Sequence, residues 1–175
     1  HEGLLYHNPC EEIKNIKKTK KIPGFLSEKE VLSILNSASR VGKNDVEKAR
    51  NKGLIEILYA SGMRVSELVS LRKSLFIGTP EIILIKGKGN KERMVPISKI
   101  AVSAVKKYLK KLKKANLELY ENEFLFPSRS KNGFLNREKF FLIIKEIAYS
   151  AGLNAKQVSP HKIRHAFASH LLSNG

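Results

Sequence analysis

The chain has 175 residues, enough for one domain and a fragment of a second, and its 42% hydrophobic content supports a packed core and excludes wholesale disorder. Its 33 Lys and Arg against 16 Asp and Glu leave a net charge of +17. That excess points to a polyanionic partner, first of all nucleic acid.

No apolar run approaches the ~20 residues needed to cross a bilayer, and no apolar segment follows a charged start as in a secretory signal. A membrane is therefore not the expected partner. Cys10 is the only cysteine, so it can form neither an internal disulfide nor a thiolate metal cluster. With no evident base beside it, Cys10 reads as a bystander, and a reducing, cytoplasmic setting is expected.

In chain order, NPCEEIKNI is a short helix candidate with Pro9 in its first turn. KKTKKIPG then reads as a basic linker: Lys17, Lys18, Lys20 and Lys21 repel one another, and Pro23-Gly24 breaks any helix. The linker is either a solvated connector or a strap along a phosphate backbone. SEKE is a capping box, with Ser27 at the N-cap and Glu30 at N3, leading into Val31, Leu32, Ile34 and Leu35. A second helix is predicted from about Asp45 to Ser61, striped by Val46, Ala49, Leu54, Ile57 and Leu58 and stopped by Gly62. RVSELVSL follows as a short third helix.

Residues 81–97, EIILIKGKGNKERMVPI, read as a hairpin: a β-branched run, a Gly-Lys-Gly-Asn turn and an extended run ending at Pro96. Residues 98–114 return to helix, with Ala101, Ala104, Val105, Tyr108, Leu109 and Leu112 inward and seven lysines on the other faces. Helices are predicted at about 136–151, between Asn136 and Gly152, and at 160–173, with Ser159 as cap and Pro160 at N1. The fold class is mostly α with one small antiparallel β-sheet.

The last helix carries the densest chemistry. His161 and Arg164 are three apart and share a face in the first turn, where unpaired N–H groups favour an anion. Ile163, Phe167 and Leu171 form a separate stripe expected to anchor the helix. His161 and His165 have the i, i+4 spacing of a zinc helix, but no Glu lies between them and no Cys could complete a site. His165 reads as a partly buried, hydrogen-bonded histidine that orients the helix.

Arg64 follows SGM beside the apolar Leu58 and Leu68, so it needs a partner. Glu67 could neutralise it or could aim it at a bound anion. Lys88, between two glycines, is either a solvated turn lysine or one able to approach a groove closely.

Three stretches in this order, YASGMRVSELVSL, IKGKGNKERMVPI and SPHKIRHAFASHLLSNG, resemble the catalytic domain of tyrosine site-specific recombinases of the phage integrase family, specifically the bacterial Xer type. The resemblance runs from about residue 9 to the end. It implies the recombinase catalytic-domain fold over residues 23–175, and in residues 1–22 the end of an N-terminal core-binding domain and its basic linker.

It also implies DNA breaking and rejoining through a 3′-phosphotyrosyl intermediate. Arg64 and Arg164 would clamp the scissile phosphate, and Lys88 would protonate the departing 5′-oxygen. His161 would hydrogen-bond the phosphate, with Glu67 and His165 in support. Lys17, Lys18, Lys20, Lys21 and Lys91 are the expected DNA contacts. No metal or nucleotide cofactor is implied.

The implied partners are a double-stranded recombination site, a homo- or hetero-tetramer assembled on it and a DNA translocase regulator, in chromosome dimer resolution at cell division. The resemblance further implies a nucleophilic tyrosine beyond SNG. Tyr6, Tyr59, Tyr108, Tyr120 and Tyr149 lie outside that motif, and the 175 residues alone are expected to be inert. An integrase of a phage or mobile element is the alternative within the fold, and a non-catalytic DNA-binding module the alternative outside it.

Overall fold

The computed structural model describes residues 26–87 and 91–173. The helix candidate and the linker lysines 17, 18, 20 and 21 lie outside the described residues, as do Cys10 and Lys88. Among the described residues, seven α-helices and one antiparallel strand pair surround a hydrophobic core.

Helix α1 (Glu28–Ser37) starts where its capping box specifies. The Ser27 backbone N–H donates to Glu30 Oε2 at 2.8 Å, and the Glu30 N–H donates to Ser27 Oγ at 3.3 Å. Val31, Ile34 and Leu35 face the core, whereas Leu32 turns to solvent. Helix α2 (Asp45–Ser61) starts at Asn44, whose side chain accepts from the Glu47 N–H, and ends at Gly62 in the left-handed region (φ +56°). Along its second half Leu54, Ile55, Ile57 and Leu58 are all sealed, because α2 runs through the middle and packs on both α4 and α7. The two buried polar residues of α2 are satisfied. Asn51 donates to the Val41 carbonyl at 2.8 Å, and Glu56 pairs with Lys52 at 2.6 Å.

Helix α3 (Val65–Val69) is only five residues long and leads into a 3-10 turn at Lys73–Phe76. Strands β1 (Ile82–Lys86) and β2 (Glu92–Pro96) then pair antiparallel, with Ile83 opposite Val95 and Ile85 opposite Arg93. Alternation sends Ile83, Ile85 and Val95 inward and leaves Ile82, Leu84 and Met94 exposed. The hairpin narrows through a bond from the Gly87 N–H to the Lys91 carbonyl at 2.8 Å.

Helix α4 (Lys99–Ala115) buries Ala101, Val102, Val105, Tyr108 and Leu112. Val102 joins the expected inward set, while Ala104 and Leu109 are only half-buried. No element is predicted over residues 116–135. They form α5 (Leu117–Glu121) and two isolated bridges, Arg72 with Phe124 and Pro127 with Phe134. Their apolar residues Leu125, Phe126 and Leu135 enter the core, with Phe126 stacked on Tyr108 at 5.7 Å.

Helices α6 (Arg137–Ser150) and α7 (Pro160–Ser173) match the expected boundaries within one residue. Asn136 accepts from the Lys139 N–H, and Ser159 Oγ accepts from the Lys162 N–H. One expectation for α7 fails. Ile163 and Ala166 are buried and Phe167 is half-buried, but Leu171 is 61% exposed and anchors nothing among the described residues. Leu172 and Ser173 beside it are exposed as well. Among the described residues, no helix is long and apolar enough to cross a membrane.

Candidate active site

Arg64 sits at the junction of α2 and α3. Gly62 reverses the chain, fully buried Met63 pins the turn, and Arg64 is the N-cap residue of α3. Its backbone N–H donates to Glu67 Oε2 at 2.8 Å, and its Nη1 donates to Oε1 at 3.2 Å. The carboxylate thus satisfies an orphan donor of the helix start and holds the side chain at the same time. Glu67 is 8% exposed, whereas the Arg64 side chain is 52% exposed. Both sequence readings of Glu67 are compatible with this geometry: it pairs with Arg64 and leaves most of the guanidinium open.

A third residue completes the cluster. Arg93, from β2, donates from Nη1 to Glu67 Oε1 at 2.9 Å and from Nη2 to Oε2 at 2.7 Å. Burial opposes ionisation of the Glu67 carboxyl. The hydrogen bonds from the Arg93 side chain and from the backbone and side chain of Arg64 outweigh it and bring the carboxyl down from 4.5 to about 2. The same pairing raises Arg93 above its ordinary value. The sequence did carry a signal for Arg93. It stands two residues before Val95 in a period-2 strand, on the inward face, where an arginine requires a carboxylate.

The second cluster is on α7. His161 and His165 are both exposed, with Nε2 atoms 2.8 Å apart and rings edge-to-face at 4.2 Å. His165 is hydrogen-bonded as expected, but it is not partly buried: a residue four positions on from exposed His161 falls on the same solvent face. Arg164 is half-buried, and among the described residues no carboxylate lies within ion-pair distance of it. Among the described residues, no group of three His, Cys, Asp or Glu side chains is arranged to hold a metal.

The two clusters approach through their neighbours. Val65, next to Arg64, and Pro160, next to His161, line one groove together with Arg137, Phe141 and Leu142 of α6. Lys145, also on α6, supports the start of α7. Its ammonium donates to the Val158 carbonyl at 2.8 Å and to that of Ala155, fixing the segment that delivers Ser159 and Pro160. At the other end of α7, the Tyr59 hydroxyl meets His170 Nδ1 at 3.1 Å, tying the helix to α2. Lys91 is exposed at the hairpin end.

Residues 24–175 match the phage integrase family. The tyrosine recombinase XerD of Rhizobium meliloti is 43% identical over 178 residues, which cover 99% of this chain and 56% of that protein. The XerD of Agrobacterium fabrum is 41% identical over 190 residues, 99% of this chain and 57% of that one. The chain therefore spans little more than half the length of these curated relatives. Among solved structures, the XerA recombinase superposes with a TM-score of 0.73 at 29% identity, covering 93% of this chain and 54% of its own. The XerH recombinase bound to its difH substrate gives 0.72 at 29% identity, covering 87% and 43%. Sequence motifs, helical architecture and hairpin all agree with these similarities: the chain belongs to the phage integrase family and has the fold of an Xer-type tyrosine recombinase catalytic domain.

Proposed function

We propose that this chain is the DNA-cleaving part of a site-specific recombinase. The observation that carries the reading is Arg64, held by a buried carboxylate with its guanidinium open, beside the α7 start that bears His161 and Arg164. Two guanidiniums would stabilise charge on a pentacovalent phosphorane-like transition state, where preorganised donors count most. His161 would donate to the same phosphate. A tyrosine oxygen attacks phosphorus, its phenolic proton passing to water, as the bond to the 5′-oxygen breaks, and that oxygen takes its proton from the Lys88 ammonium. Rejoining reverses these steps. The phosphotyrosyl bond conserves the energy of the phosphodiester, so the exchange needs no nucleotide.

None of the tyrosines in these 175 residues is the nucleophile in this reading. Tyr108 is sealed in the core, the Tyr59 hydroxyl is engaged by His170, and Tyr120 lies under Lys73 and Lys113 on α5. Tyr149 is open to solvent on α6 but outside the family's nucleophile motif, as is Tyr6. The resemblance to Xer recombinases extends the proposal to a tetramer on a duplex recombination site in the cytoplasm, acting in chromosome dimer resolution under a DNA translocase. XerH, a structural neighbour, is seen both before and after cleavage of its difH sites.

The test uses a nicked suicide duplex. Full-length recombinase carrying this segment forms a covalent 3′ adduct, and Arg64→Ala or Arg164→Ala each costs about 2.7–4 kcal/mol of transition-state stabilisation with duplex binding largely kept. The 175-residue chain alone forms no adduct. Parallel loss of binding and cleavage would make the arginines docking contacts, and an adduct on Tyr108 or Tyr149 would overturn the assignment.

A further inference from the structure

The hairpin delivers to the site one side chain that the family's motif residues leave unassigned. Arg93 makes two parallel N–H···O bonds to Glu67, a fork-to-fork pair across 26 residues of sequence. Arg64 donates the other two hydrogen bonds that Glu67 receives. A carboxylate offers about four acceptor positions, so Glu67 is saturated, and two guanidiniums compete for it.

That competition bears on Arg64. With both carboxylate oxygens engaged by Arg93, the Arg64 side chain keeps a single contact through Nη1 at 3.2 Å and stays half open. Without Arg93, the Arg64 guanidinium could close on both oxygens in a fork of its own and turn away from an anion. The charge count agrees: two arginines on one carboxylate leave one positive charge over, and the more exposed partner is Arg64, 52% against 37% for Arg93. The hairpin backbone packs on the same pair. A Cβ at Gly87 would lie 3.0 Å from Arg93 Nη1 and 3.5 Å from Glu67 Oε1. Lys86 lines the recess beside them.

We infer that Arg93 is a positioning residue: by occupying Glu67 it keeps Arg64 presented to the scissile phosphate and registers the Gly87 end of the hairpin against α3. This rests on the recombinase reading of Arg64 and adds a role to a residue to which that reading assigns none.

Cleavage is measured under single turnover at saturating DNA in full-length protein. Arg93→Ala is expected to slow the step by on the order of 10²-fold, the scale of an ångström-sized misplacement, with duplex affinity unchanged. In a Glu67→Ala background the same substitution adds almost nothing, because the group it acts through is gone. Gly87→Ala, which keeps every charge but crowds the guanidinium, slows cleavage only while Arg93 is present, and it serves if Arg93→Ala does not fold. An additive defect in the Glu67→Ala background, or a lost phosphate contact seen as a shallower salt slope at unchanged rate, overturns the inference.

A second arm needs neither DNA nor activity. In the 175-residue chain, NMR of the Glu67 carboxyl should show its titration moving up by about one pH unit or more in Arg93→Ala or Arg93→Lys, since a lysine supplies a point charge without the fork. An unmoved carboxyl overturns this inference alone. A wild-type protein that cuts no DNA overturns the recombinase reading instead.

Discussion

Gly62 and Phe167 touch so closely that no larger residue fits between them: a Cβ on Gly62 would lie 2.4 Å from Phe167 Cδ1. Gly62 comes two residues before Arg64, and Phe167 three after Arg164. The contact therefore helps to fix the distance between the chain segments that carry both arginines. The glycine is required twice over, for this approach and for its φ of +56°. Gly62→Ala should cost about 2–4 kcal/mol, combining the left-handed penalty with overpacking. Gly152→Ala has a similar φ of +72° but nothing within 4 Å of its Cβ, so it should cost only about 1 kcal/mol. Urea unfolding of the two variants checks this, and equal costs would show that Phe167 moves aside freely.

Glu67 makes stability depend on acid. Its folded-state pKa is about 2 against an ordinary 4.5. The lowered value means that its contribution is complete above 4.5 and is lost as pH falls from there through 2. The group is nearly buried, so the contribution is about 3 kcal/mol. In urea titrations the gap between wild type and Glu67→Gln should be wide at pH 6 and shrink by about that amount near pH 2. A gap independent of pH would mean that the arginines do not hold the carboxylate in solution.

The net charge of +17 predicts duplex affinity that falls steeply with salt. With about five phosphates neutralised, log K should fall with a slope of roughly −4 to −5 against log salt. Neutralising Lys17, Lys18, Lys20 and Lys21 together should weaken binding and flatten that slope. Fluorescence anisotropy over a salt series measures both, and an unchanged slope would remove the linker from the interface.

Lys88 can be isolated by its leaving group. A general acid matters for an alkoxide and little for a thiolate, whose pKa is far lower. Full-length Lys88→Ala should cut ordinary DNA slower by on the order of 10²–10⁴. On a strand with sulfur at the bridging 5′ position it should approach the wild-type rate. Arg64→Ala should gain no comparable rescue, because charge stabilisation is still needed. Equal defects of Lys88→Ala on both strands would reduce Lys88 to a groove contact.

Short-range hydrogen bonding and periodicity make part of this fold legible in the sequence. Ser27 with Glu30, Asn136, Ser159 and the left-handed glycines 62 and 152 set helix ends through contacts spanning a few residues. The pairing of Arg64 with Glu67 was legible for the same reason, one helical turn separating them. Residues 116–135 were not, because they are held by distant bridges and by burial of Leu125 and Phe126 rather than by a local repeat.

Which surfaces meet depends on how the elements pack. Packing left His165 in solvent beside His161, and Leu171 exposed although it continues the stripe of buried Ile163 and half-buried Phe167. It brought Lys145 to the carbonyls before Pro160 and Arg93 to Glu67. A strand's alternation shows that an inward arginine needs a carboxylate. Which carboxylate answers, across 26 residues, depends on how the hairpin docks on α3, and that is a property of packing.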